Sequence, residues 1–181
     1  MKELSLNILD IAENSVKAKA TLIKIEITES ADAIKFSISD DGTGMKPDFL
    51  ERVANPFTTT RTTRPVGLGI PLLKMAAEQT GGRVEITSKH FEDYPDSHGT
   101  VTTALFFKKH IDMVPLGNIV ETVVTLIQCN PDREFVFIHQ TEDKCVNLDT
   151  RELRLVLGEV PLNNIEVILW IKDYLNEQYN Q

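Results

Sequence analysis

From Thr21 to Asp40 the apolar residues fall mostly on alternate positions: Leu22, Ile23, Ile25 and Ile27, then Ile34, Phe36 and Ile38. A period of two marks half-buried strands, and Ser30-Ala31-Asp32 supplies the turn, so 21–40 reads as a β-hairpin. A hairpin with one apolar face needs a cover. Residues 4–18 offer one: Leu4, Ile8, Ile11 and Ala12 lie on one face of a helix.

Further along, Pro47 opens a short helix over 47–54. Residues 55–66, rich in Thr, Arg and Pro, read as an exposed loop. A helix from about Leu68 to Thr80 stops at Gly81-Gly82. Arg83–Lys89 and Thr100–Lys108 read as strands. Near His110 the register changes. Pro115–Gln128 reads as helical, Glu134–His139 and Lys144–Leu148 as a hairpin, and Asp149 with Glu152 as a capping box for a helix ending at Gly158. Asn163 or Asn164 then caps a last helix with Ile165, Ile168, Leu169 and Leu175 inward. The chain divides into a core of 1–109 and an extension of 110–181, too apolar to be a solvated tail.

The 181 residues, 41% hydrophobic and 25% charged, can build a real core. The net charge of −8 repels phosphate backbones and anionic lipids, so nucleic acid and membrane are poor partners. Two cysteines without CxxC exclude zinc ribbons and iron–sulfur sets. A single disulfide stays open, with free thiols in a reducing cytoplasm the simpler reading. Neither a signal peptide nor a membrane-length apolar run is visible, so a cytoplasmic location is expected.

Three segments carry chemistry. On the first helix Asn7, Asp10, Asn14 and Lys17 share one stripe opposite the apolar face. A stripe of this kind is ordinarily a solvated face, but a carboxylate one turn before a carboxamide suits a water and Mg²⁺. Asp40-Asp41-Gly42-Thr43-Gly44 follows a strand. Its glycines allow a backbone path that side chains block and let a flat ligand come close, while a carboxylate at the strand end can accept from an exocyclic amine. Finally, no acidic residue occurs from Arg52 to Ala77, a window that holds Arg52, Arg61, Arg64 and Lys74. There, hydroxyls, guanidiniums, Gly67 and Gly69 lead into a helix N-terminus, which favours anions such as phosphate. The pattern is neither a P-loop nor a dinucleotide fingerprint.

In this order the pieces resemble the GHKL superfamily of ATP-binding domains: histidine-kinase catalytic domains, MutL-type repair proteins, type II topoisomerase B subunits and heat-shock chaperone ATPases. The N box resembles 10–14, the first glycine box Asp40, Gly42 and Gly44, the second Gly67 and Gly69, and the final Gly-Thr is Gly99-Thr100. Pro56–Arg61 resembles the phenylalanine motif and lid of histidine kinases. The resemblance implies an α+β, two-layer α/β sandwich of Bergerat type, with ATP between helices and sheet, here followed by a C-terminal α+β extension. It implies that Asp40 accepts from the adenine amine, with Thr100 helping through a water. Asn14 would ligate Mg²⁺. Thr60, Arg61, Arg64, Gly67, Leu68 and Gly69 would hold the phosphates.

Two departures stand out. Asp10 replaces the Glu that ATP-hydrolysing members carry as general base, and it is one methylene shorter, so binding is better supported than hydrolysis. Glu13 is an alternative base, turned to one side of the stripe. Only about six residues precede the N box, so another element, such as the extension, should cover that edge. Leu148–Glu152 and Val160–Asn164 resemble the tails of stand-alone bacterial members. The expectation is therefore an Mg²⁺-dependent ATP-binding protein with slow or partner-dependent turnover, a regulatory role, a protein partner, and room for a homodimer. A protein kinase acting in trans, as anti-sigma-factor kinases do, and a non-hydrolysing nucleotide sensor are the alternatives.

Overall fold

The computed structural model describes residues 3–54 and 68–180. The elements run α1 (Leu4–Lys17), β1 (Leu22–Glu29), β2 (Ala33–Asp40), α2 (Pro47–Ala54), α3 (Gly69–Gln79), β3 (Arg83–Lys89), β4 (Gly99–Phe107), α4 (Ile119–Cys129), β5 (Glu134–Gln140), β6 (Cys145–Asp149), α5 (Thr150–Leu157) and α6 (Ile165–Asn180). Six strands form one sheet in the order β3-β4-β2-β1-β5-β6. β1 and β5 run parallel, and every other neighbouring pair is antiparallel.

The alternation in the sequence sets the layers. Ile23, Ile25, Phe36, Ile38, Phe106 and Phe137 are all buried, and they share one core with the apolar stripes of α1, α3, α4 and α6. Burying each such side chain contributes about 1.5–3 kcal/mol. The other sheet face carries Lys24, Glu26, Ser37 and Thr103, none of them buried. The result is the α+β, two-layer sandwich. β5 covers the edge of β1 as expected, so residues 110–180 continue the sheet and share its core.

Two local expectations need correction. The helix expected from Pro115 begins at Ile119, where Asn118 Oδ1 accepts from the Glu121 N–H at 3.0 Å. The carbonyls of Pro115 and Leu116 instead accept from the N–H groups of Leu4 and Ser5 at 3.0 and 2.8 Å. They satisfy orphan donors of α1, whose flanking Glu3 makes no side-chain cap. In α6, Asn164 is the cap, accepting from the Glu166 N–H at 2.9 Å. Ile165 and Leu169 point outward, because Val167, Ile168, Ile171 and Leu175 form the stripe that meets the core. Cys129 and Cys145 are exposed free thiols. Among the described residues no helix is long and apolar enough to cross a membrane.

Candidate functional site

Strand register assembles the site. Asp40, the last residue of β2, pairs with Thr100 of β4, which pairs with Ser88 of β3, so three polar side chains stand in a row across three strands. Ser15 of α1 donates its Oγ–H to Asp40 Oδ2 at 2.6 Å, and the Gly42 N–H donates to Oδ1 at 2.9 Å. An ionised carboxylate has about four acceptor positions, so Asp40 keeps capacity for a ligand donor. Ser88 Oγ accepts from the Met45 N–H at 2.8 Å, donates to the Gly99 carbonyl at 3.1 Å and lies 2.8 Å from Thr100 Oγ1. With the single Ser88 proton given to Gly99, the Thr100 hydroxyl donates to Ser88 and retains its lone pairs. Asp40, Thr100 and Asn14 line a cavity of about 440 Å³, closed on its apolar side by Ile11, Phe49 and Ile70. The Arg52 guanidinium sits 5.7 Å from the Phe49 ring centroid.

The glycines act first on the protein's own backbone. Gly44 has φ +66°, and a Cβ there would lie 1.9 Å from the Lys89 carbonyl oxygen. On Gly42 a Cβ would meet Ala18 O at 2.8 Å. The loop is thus pressed against the end of β3 and the turn after α1, and this holds Gly44 in the cavity wall. Asp41 locks it from the other side, accepting from the N–H groups of Thr21 and Leu22 at 2.7 and 2.9 Å and from the Thr21 hydroxyl. Partial burial opposes ionisation of Asp41, but those donors outweigh it and hold its carboxyl below the usual carboxylate range.

At the opposite rim, α3 begins against α1. A Cβ on Gly69 would lie 3.4 Å from Asp10 Cβ and 3.8 Å from Asn14 Nδ2. The start of α3, where the first N–H groups lack an intrahelical partner, therefore adjoins Asp10 and Asn14. Neither of these side chains has a hydrogen-bond partner among the described residues. Asn14 lines the cavity, whereas Asp10 is exposed, and neither Asp10 nor Glu13 lines it. Leu68 is exposed just ahead of α3. Thr60, Arg61, Arg64 and Gly67 lie outside the described residues. Asn7 departs from its expected place on the solvated stripe: it is 1% exposed, with neither amide atom hydrogen-bonded. No group of three or more His, Cys, Asp or Glu arranged for a metal occurs among the described residues.

Sequence reasoning missed Ser88 and the latch role of Asp41. Ser88 is invisible until the β3–β4 register is known. Asp41 stood inside a motif whose first carboxylate drew the attention.

Residues 2–110 match the family described as histidine kinase-, DNA gyrase B-, and HSP90-like ATPases. The chain belongs to this family. The ATPase-family segment is 30% identical over 94 residues to the sensor protein KdpD of Clostridium acetobutylicum, covering 49% of this chain and 10% of that protein. It is 38% identical over 58 residues to the sensor protein kinase FleS of Pseudomonas aeruginosa, covering 31% and 14%. The chain thus spans less than a fifth of these relatives. In fold it is similar to the Aquifex aeolicus MutL ATPase domain complexed with ADP, with a TM-score of 0.56, 15% identity, and 100% of this chain and 70% of that one covered. It is also similar to the topoisomerase IV ATP binding domain of Francisella tularensis, with a TM-score of 0.53, 16% identity and coverage of 81% and 87%.

Proposed function

We propose that this ATPase-family chain is an Mg²⁺-dependent ATP-binding protein of the cytoplasm. It would turn ATP over slowly, or only with a protein partner, in a regulatory role. The observation that carries the reading is one cavity lined by Asp40, Thr100 and Asn14, with Ser88 bonded to Thr100 and the volume suited to a small ligand. Asp40 accepts from the exocyclic amine of adenine with the capacity left after Ser15 and Gly42, and Thr100 contributes through a water. Gly42 and Gly44 set the loop path at the adenine. The start of α3 at Leu68 and Gly69 faces the phosphates, with Gly67, Thr60, Arg61 and Arg64 completing the clamp. Asn14 would hold Mg²⁺ through its side-chain oxygen, and the ion would supply charge neutralisation at the phosphates. Residues 1–109 form the nucleotide domain, and 110–181 an extension that braces it.

Asp10, exposed and outside the cavity lining, favours a second reading in which bound ATP is sensed rather than hydrolysed. Calorimetric titration of ATP with Mg²⁺ into wild type and Asp40→Asn tests the first reading. Micromolar binding that weakens at least about tenfold in the variant is expected, as for loss of a charge-assisted hydrogen bond. Wild-type protein that releases no heat with ATP would overturn it. Phosphate release by Asp10→Asn at the wild-type rate would remove Asp10 as the base.

A further inference from the structure

The last two helices carry large apolar side chains that the fold leaves uncovered. Leu155 and Val156 of α5 are each 86% exposed, and Ile165, Leu169 and Trp170 of α6 are at least half exposed. Between the helices Leu153, Val156, Val167, Trp170 and Glu166 line a groove of about 410 Å³. Trp170 is the sole tryptophan, and its ring stacks on Tyr174 with centroids 5.0 Å apart. It is therefore an aromatic anchor already held in place.

Charge selects the occupant. Glu159, Glu166, Asp173 and Glu177 are exposed around this face, and none makes an ion pair among the described residues. The basic side chains of the same helices are engaged: Arg151 with Asp149, Arg154 with Glu134, and Lys172 with Glu121. The face is thus an apolar groove with an uncompensated acidic rim. A second copy of the chain would set these carboxylates against themselves, and an anionic bilayer would be repelled. We infer that this groove docks an amphipathic helix of another protein, one whose apolar stripe is flanked by lysine or arginine. Its lining shares no residue with the cavity around Asp40, so this inference stands apart from the nucleotide reading.

Trp170 provides the readout. A tryptophan-free Leu/Lys amphipathic peptide of about 18 residues is titrated into the full chain while Trp170 emission is followed. A scrambled peptide of the same composition and a Leu/Glu peptide with the same stripe serve as comparisons. The expected result is a saturable blue shift with the Leu/Lys peptide. Binding should be at least about tenfold weaker for both other peptides, for Val156→Asp, and for the double variant Glu166→Lys with Asp173→Lys. These positions are exposed, and unchanged melting temperatures verify the variants. Equal binding of the scrambled or Leu/Glu peptide, indifference to the double variant, or no shift at all would overturn the inference. So would a wild-type dimer in sedimentation that Val156→Asp dissociates, since the occupant would then be a second copy.

Discussion

The two halves of the sheet use their helices differently. On the β3-β4-β2 side Phe36, Ile38 and Phe106 are buried, but β3 has no fully buried residue, and the cavity opens between the strands and α1, α2 and α3. Gly44, Thr43, Thr100 and Asp40 line it opposite the apolar Ile11, Phe49 and Ile70. On the β1-β5-β6 side, α4 and α6 close down on Phe135, Phe137, Val146 and Leu148, all at most 3% exposed. One half keeps a cavity beside its buried side chains, and the other, joined to it through the β1–β2 pairing, buries inward residues on both β5 and β6. Stability and binding are therefore expected to separate along the sheet.

Phe137→Ala gives the largest expected effect. It removes a buried ring from the packed half and should cost about 3–5 kcal/mol in denaturant unfolding, while ATP affinity at low temperature stays at the wild-type value. A matched loss of affinity would break the division. Next, Gly44→Ala should cost more than about 3 kcal/mol, because a Cβ meets the Lys89 carbonyl as well as an unfavourable φ. Gly158→Ala, at φ +61° with open space around it, should cost about 1–3 kcal/mol from backbone strain alone. Equal costs would mean that the pressed loop is softer than its geometry. A third change addresses the β5–α5 corner. Thr150, fully buried, accepts from the Phe135 N–H at 2.8 Å and donates to Glu134 at 2.6 Å. Thr150→Val strands that N–H and should cost about 1–3 kcal/mol.

The smallest effect is one of pH. His139 of β5 is buried, with Nδ1 bonded to the Tyr179 hydroxyl at 2.7 Å and Nε2 3.4 Å from Glu29 Oε2, too poorly placed for a hydrogen bond. Burial pushes its pKa below the ordinary 6.5, and the Glu29 charge opposes that only partly. Lys108 pairs with Glu29 at 2.7 Å, and Lys144 Nζ donates to the Tyr179 carbonyl. Burial also raises the Tyr179 pKa, so its hydroxyl stays neutral throughout. The unfolded chain then binds the His139 proton first. Stability should be full above the unfolded value and fall as pH drops below it toward the folded one. Thermal melts of wild type and His139→Gln across that window check this, with the variant showing the shallower acid slope.

Much of this was legible in the sequence, for identifiable reasons. Ile23, Ile25, Phe36 and Ile38 announced their strands because period two admits little else, and Asp40, Asn14 and Gly44, picked out by motif, all line one cavity. What escaped depends on partners distant in sequence. Ser88 gains its role only through the register with Thr100. Asn7 looked solvated on a helical wheel, yet tertiary packing closes over it. Ile165 and Leu169 were placed inward by their apolarity, although Val167 and Ile171 compete for the same core and win by angle. The parallel pairing of β5 with β1 left no local trace.

That parallel pairing also bears on the order of events during synthesis. The β1–β2 hairpin can form as soon as Asp40 has emerged, but Leu22 must wait for Glu134 before its other edge is paired. Pairings so far apart in sequence close late, and a bare edge strand is a template for foreign strands. Lys24 and Glu26, ion-paired at 2.8 Å on the outer face of β1, place charge on that edge for the interval. A nascent chain halted after β4 would expose this edge, and a stretch meant for β5 of another copy could occupy it.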